Sequence, residues 1–214
     1  MDAPSATKLV EKELMRWAFG PNSMVPLLVP WIFGDRPHLV ALEVTQPVLI
    51  PADGKIGELD AMIWPVDDPT TVTVFEAKRI RVDADTLLTE QIGGLQGIRE
   101  GVAQVRSHIQ LGFARVYLAL FVSVDSRGYS GGHWIGGGLP HSLSSQIVAA
   151  VQSATDDLDV GVLVFVLDQP VDKDVRLGGG FGLLHSRPAP VRPQPDALTM
   201  RIRAFIDSAS RPAV

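Results

Sequence analysis

Residues 57–60 read Gly57-Glu58-Leu59-Asp60, and sixteen residues after Asp60 stands Glu76, within Val74-Phe75-Glu76-Ala77-Lys78. Both stretches have the composition of β-strands, yet each carries ionisable side chains where an apolar strand has none. Alternate side chains share a face of a strand. Glu76 and Lys78 therefore point one way and Ala77 the other, while Glu58 and Asp60 share a face of the preceding strand. If the strands pair, Asp60 and Glu76 come within reach of a single cation with Lys78 beside them.

Such an arrangement is costly. Two close carboxylates repel, and one of them ordinarily takes up a proton. Charged groups on a core strand also lose their water. A divalent cation removes the repulsion and keeps both groups ionised. Hard oxygen ligands of this kind suit Mg²⁺, which uses one or two carboxylates, keeps several waters and takes substrate phosphate. A neighbouring lysine can orient the attacking water or stabilise charge growing on a phosphate. The bland reading is a solvated strand end with a surface ion pair, worth little to stability. Against it stand the apolar run Val72-Thr73-Val74-Phe75 and the scarcity of lysine, confined to positions 8, 12, 55, 78 and 173.

Asp60 followed by Glu76-x-Lys78 resembles the PD-(D/E)xK nuclease superfamily, the restriction-endonuclease-like fold, and the Gly-Glu-Leu-Asp lead-in looks like that of its junction-resolvase and repair-nuclease branches. The resemblance implies Mg²⁺-dependent cleavage of a phosphodiester, with Mn²⁺ able to substitute. It implies Asp60, Glu76 and the Ala77 carbonyl as metal ligands and Lys78 as the water-positioning cation. Glu58, or a glutamate of the first helix (Glu11 or Glu13, with Glu13 carried forward), would assist. It also places a glutamine on the helix after the Glu-x-Lys strand, for which Gln91 is the candidate and Gln104 the next.

The 214 residues suffice for one α/β domain with a full core. We expect a nuclease domain over 1–185, then a Pro-rich segment and helix over 186–214. At 46% hydrophobic and 20% charged the composition is that of an ordinary globular protein, and the absence of cysteine excludes disulfides and thiolate metal sites. The N-terminus Met-Asp-Ala-Pro-Ser shows no apolar signal region, and no apolar run approaches a membrane span, so the expectation is a cytoplasmic protein without membrane partners. A net charge of −5 tells against a broad nucleic-acid face. The basic residues near the motif are local: Lys55, Lys78, Arg79 and Arg81.

Outward from the motif, the periodicity predicts a helix over 7–19, an irregular proline-punctuated segment over 21–37, and a meander of strands over 38–50, 56–64 and 71–80. A long helix follows over 86–111, with Leu88, Ile92, Leu95, Ile98, Val102, Val105 and Ile109 as its apolar stripe. Beside that stripe lie Gly94, Gly97 and Gly101. Glycine costs a helix about 1 kcal/mol relative to alanine, so three on one face imply close approach of the sheet, a second subunit or a phosphate backbone. Packing on the sheet is the expectation, and a homodimer interface is the competing use. Residues 115–124 read as a strand buried on both faces, followed by a helix over 143–155, a strand over 160–167 and a last helix over 196–208. The expected fold is α/β: a mixed central sheet, antiparallel meander plus parallel crossover, flanked by helices. This order is that of the restriction-endonuclease-like core.

Two other functions compete. Gly128-Tyr129-Ser130-Gly131-Gly132 matches the Gly-x-Ser-x-Gly nucleophile elbow, with Asp168 and His185 following in triad order. That motif needs a helix directly after the serine, which the glycines and proline of 131–140 do not support. The other is a binding module with the same fold and a site that does not cut; the acidic charge favours it and the intact trio Asp60, Glu76 and Lys78 argues against it. The five histidines show no metal-ligand spacing and read mostly as surface or loop residues.

Overall fold

The strand Arg115–Asp125 (β4) organises the molecule, because every side chain from Val116 to Val124 is buried. Apolar residues on both faces demand cover on both faces, and helices supply it. The computed structural model describes residues 10–19, 32–34, 37–45, 58–68, 71–93, 95–125, 139–169 and 180–209. Their order is α1 (Glu11–Phe19), β1 (His38–Val44), β2 (Leu59–Pro65), β3 (Thr73–Val82), α2 (Ala84–Thr89), α3 (Gln96–Leu111), β4, α4 (His141–Thr155), β5 (Gly161–Gln169), β6 (Gly180–Arg187) and α5 (Asp196–Ala209).

The six strands form one mixed sheet in the order β1-β2-β3-β4-β5-β6. β1–β2 and β2–β3 are antiparallel, β3–β4 and β4–β5 parallel, and β5–β6 antiparallel. The α/β class, the meander and the parallel crossover through α4 are therefore as the sequence predicts. On one face α3, α4 and α5 cover Val74, Ile80, Leu118, Leu120 and Val164. On the other, α1 lays Leu14, Met15, Ala18 and Phe19 on Phe75, Ala77, Tyr117 and Phe121. Phe75 is the keystone of that second layer. It is fully buried, stacks on Tyr117 at 5.1 Å and meets Phe19 at 4.8 Å. Burying one such side chain is worth about 2–3 kcal/mol.

Three expectations need correction. The long helix is two helices: Glu90 turns left-handed (φ 52°) and ends α2, and α3 starts at Gln96. A strand that the periodicity does not predict, β6, pairs with β5 and takes His185 out of the loop class. His108 is a core residue rather than a surface one, 1% exposed. The boundary expected at 185/186 falls inside β6, and α5 buries Leu198 and Ile202 in the same core as the sheet. The nucleophile-elbow serine, Ser130, lies outside the described residues.

Candidate active site

β2 and β3 pair over three positions, Ala61 with Phe75, Met62 with Val74 and Ile63 with Thr73. Extending that register puts Asp60 opposite Glu76, but the ladder stops there. The β3 N–H groups that look toward β2 must then find other acceptors, because a buried unpaired amide is costly. Two carboxylates serve. Ala77 N donates to Asp60 Oδ2 at 2.7 Å, and Arg79 N donates to Glu11 Oε1 at 3.1 Å. One strand end and one helix start thus bring acidic groups to the same margin of β3.

Glu76 projects toward α3 and is 1% exposed. Its two oxygens have different partners: Oε1 lies 2.5 Å from Lys78 Nζ, and Oε2 lies 3.2 Å from His108 Nε2. The Lys78 ammonium also donates to the Ala77 carbonyl at 3.0 Å and lies 4.0 Å from Glu11 Oε2. Its stem runs beneath α3 at Gly101. A Cβ there would stand 2.8 Å from both Lys78 Cγ and Leu118 Cδ1. Close approach to the sheet therefore accounts for this glycine. Gly97 has nothing within 4 Å of a built Cβ, and Gly94 lies outside the described residues. Gly101→Ala is expected to lower stability by about 1–2 kcal/mol, despite a helix-propensity gain of about 1 kcal/mol, because the packed stem must move. Urea unfolding measures it, and a variant as stable as the parent would contradict the packing argument.

The electrostatics are strained in the way the sequence implies. Burial pushes the Asp60 carboxyl up, and the neighbouring Glu76 charge pushes it further; the Ala77 N–H and Lys78 oppose them, and the result is about 7. Burial works to lower the Lys78 ammonium, but the charge and hydrogen bond of Glu76, with Glu11 and Asp60, outweigh it and leave Lys78 above its ordinary value. Three carboxylates (Glu11, Asp60, Glu76) surround the Lys78 ammonium, and Glu11 also interacts with the Arg79 guanidinium. Acidic groups still outnumber the cations that face them, an excess a divalent cation would relieve. Among the described residues no three acidic or histidine groups already converge as a ready-made cation cage. Two carboxylates with a carbonyl and waters fit Mg²⁺, which does not need such a cage.

The remaining candidates fall at varying distance from this cluster. Glu13 turns back to accept from Val10 N at 3.0 Å, securing the start of its own helix, so the glutamate that reaches β3 is Glu11. Two residues apart on a helix point about 200° apart, so only one of the pair can face the strand. Glu58 is exposed immediately before β2. Gln91 is exposed in the link between α2 and α3 and so is not on a helix; Gln104 is on α3, half-buried. Asp168 and His185 sit on the adjacent strands β5 and β6, where burial and the Arg187 charge lower the His185 imidazole. Sequence reasoning passed over His108, which touches Glu76. Its signal was its place seven residues after Gly101, two turns along the same side of the helix. No family model matches this chain, and no curated protein matches it closely enough to carry a function across.

Proposed function

We propose that this chain is a metal-dependent nuclease of the PD-(D/E)xK kind that hydrolyses phosphodiester bonds, DNA being the first substrate to test, and that its setting is the cytoplasm. The observation that carries the reading is the gathering of Asp60, seated on the Ala77 amide, and buried Glu76, seated on Lys78, at the point where β2 leaves β3. Asp60 also accepts from the Ala77 amide, a role a neutral side chain would fill; the charge of the acidic pair is what a cation would account for. Asp60, Glu76 and the Ala77 carbonyl are the residues that would hold Mg²⁺. When bound, such an ion polarises a phosphoryl oxygen and acidifies its water.

The chain's own groups do the rest. Lys78 uses two of its three N–H bonds on Glu76 and Ala77. These are two of the groups that would hold the ion, so with the ion bound the ammonium would turn its N–H bonds to a water or a phosphate oxygen, where it stabilises developing negative charge. Glu11 holds the Arg79 amide and so keeps β3 extended beyond the site. Arg81, exposed on β3, and Arg99, exposed on α3, are suited to the phosphate backbone.

One observation favours a second reading. Lys78 already neutralises Glu76, and no cation cage stands ready among the described residues. Together with the net charge of −5, this suits a binding module of the same fold that does not cut. Plasmid, single-stranded and branched DNA incubated with Mg²⁺ or with EDTA separate the two. Cleavage that needs Mg²⁺ and stops in EDTA is the expected result. Binding without cleavage in every condition would establish the module instead. Hydrolysis of a p-nitrophenyl ester, lost in Ser130→Ala, would point to the serine chemistry.

A further inference from the structure

We infer that His108 is a positioning residue for Glu76: by holding Oε2 it fixes which oxygen of the carboxylate faces the cation site. The inference rests on the nuclease reading of that site and deepens it.

Glu76 Oε1 and the Ala77 carbonyl both touch the Lys78 ammonium, at 2.5 and 3.0 Å. These two acceptors therefore meet at the ammonium, and Asp60, seated on the Ala77 amide, interacts electrostatically with both Lys78 and Glu76. Oε2 is turned away, toward α3. The terminal torsion of a glutamate is broad and nearly two-fold, so an ammonium alone does not determine how the carboxylate is turned. His108 Nε2, 3.2 Å from Oε2, does. With Glu76 ionised, that nitrogen carries the proton.

The imidazole has no other evident reason to be there. It is 1% exposed, and Nδ1 is enclosed with no hydrogen-bond partner. Its ring edge meets Phe113 at 6.4 Å between centroids and 82° between planes. A leucine or methionine would satisfy that packing without burying an unpaired nitrogen, which costs free energy. Among the described residues, the one polar contact that offsets the burial is the one to Glu76. Its reach comes from the helix: Gly101 brings α3 down onto the Lys78 stem, and His108, two turns on, meets the carboxylate. The same helix thus seats both members of the Glu-x-Lys pair. Outer groups that hydrogen-bond ligating side chains commonly change metal affinity 10–100-fold.

The test compares Mn²⁺ affinity, read from the electron paramagnetic resonance signal of free Mn²⁺, with Mn²⁺-dependent cleavage in the full chain. The variants are His108→Gln, which retains an N–H donor, and His108→Met, which fills the volume without one. His108→Met should weaken Mn²⁺ binding by about 10-fold or more, and His108→Gln should recover most of that loss. Should His108→Met fail to fold, His108→Asn, polar but too short for the contact, takes its place with the same expectation. Mn²⁺ binding by the donor-less variant equal to that of the parent, or no recovery in His108→Gln, would overturn the inference while the nuclease reading stood. A parent chain that neither binds Mn²⁺ nor cleaves would overturn both.

Discussion

Lys78→Met is expected to abolish measurable DNA cleavage, lowering the rate by about 10³-fold, while binding Mn²⁺ at least as tightly as the parent. The two effects have one cause. Lys78 is 12% exposed and sits on a carboxylate that is 1% exposed. Methionine keeps the stem that packs under Gly101 and removes only the charge. Glu76 is then a buried anion with His108 as its single partner, and breaking one side of a buried pair costs about 3–5 kcal/mol. That figure is a ceiling, because the pair is not fully enclosed: Lys78 keeps 12% exposure. An exposed pair would cost about 1 kcal/mol or less, so urea unfolding in EDTA separates a site lysine from a decorative one. Adding Mn²⁺ should restore more stability to the variant than to the parent, since the ion no longer competes with an ammonium for Oε1. A variant that loses cleavage and cation binding together would show that Lys78 shapes the site rather than acting in it.

The parts of this picture legible in the sequence are those where a residue violates its element. A glutamate and a lysine inside an apolar strand, and an aspartate on its neighbour, announce a site because nothing in strand packing asks for them. β4 is legible for the opposite reason: an unbroken apolar run has to be covered on both faces. The break at Glu90 could not be read, because Leu88, Ile92 and Leu95 keep helical spacing across it. What stops α2 lies more than fifty residues away: Ser142 Oγ donates to Glu90 Oε2 at 2.6 Å, and Gln146 Nε2 to the Glu90 carbonyl at 2.8 Å. Leu88 is left 64% exposed, off the core its spacing assigned it to. β6 was hidden by the glycines at its start, which are permissive rather than strand-forming; β5 supplies the ladder that extends them. Glu11 and Glu13 were indistinguishable until the register of α1 was known. Spacing puts His108 on the same side of the helix as Gly101, but its role comes only from the glutamate across the interface.

Asp60→Asn should make the metal-free protein more stable at pH 8 and leave it little changed at pH 4. The folded carboxyl titrates at about 7, the unfolded one near 3.8. Between those values the folded chain keeps a proton that the unfolded chain has released. Stability therefore falls as pH rises through that window, is fully present below pH 4 and is flat above 7. A gap of about three units corresponds to about 4 kcal/mol at 1.36 kcal/mol per unit. Asp60 is only part-buried, so solvent screening brings the realised difference nearer 2 kcal/mol. Asparagine has no charge to lose, and its carbonyl still accepts from Ala77 N. Subtracting the variant's urea-unfolding free energy from the parent's at each pH isolates this group from every other titration. Mg²⁺ should raise the parent's stability above pH 7 and leave Asp60→Asn almost untouched, with cleavage falling by about 10²-fold or more. The parent's apparent Mg²⁺ affinity should climb by up to about tenfold per pH unit until the carboxyl is ionised and then level off. Parallel stability curves for the two proteins from pH 4 to 8 would mean that Asp60 is an ordinary carboxylate. The strained pair on which the cation reading depends would then not exist.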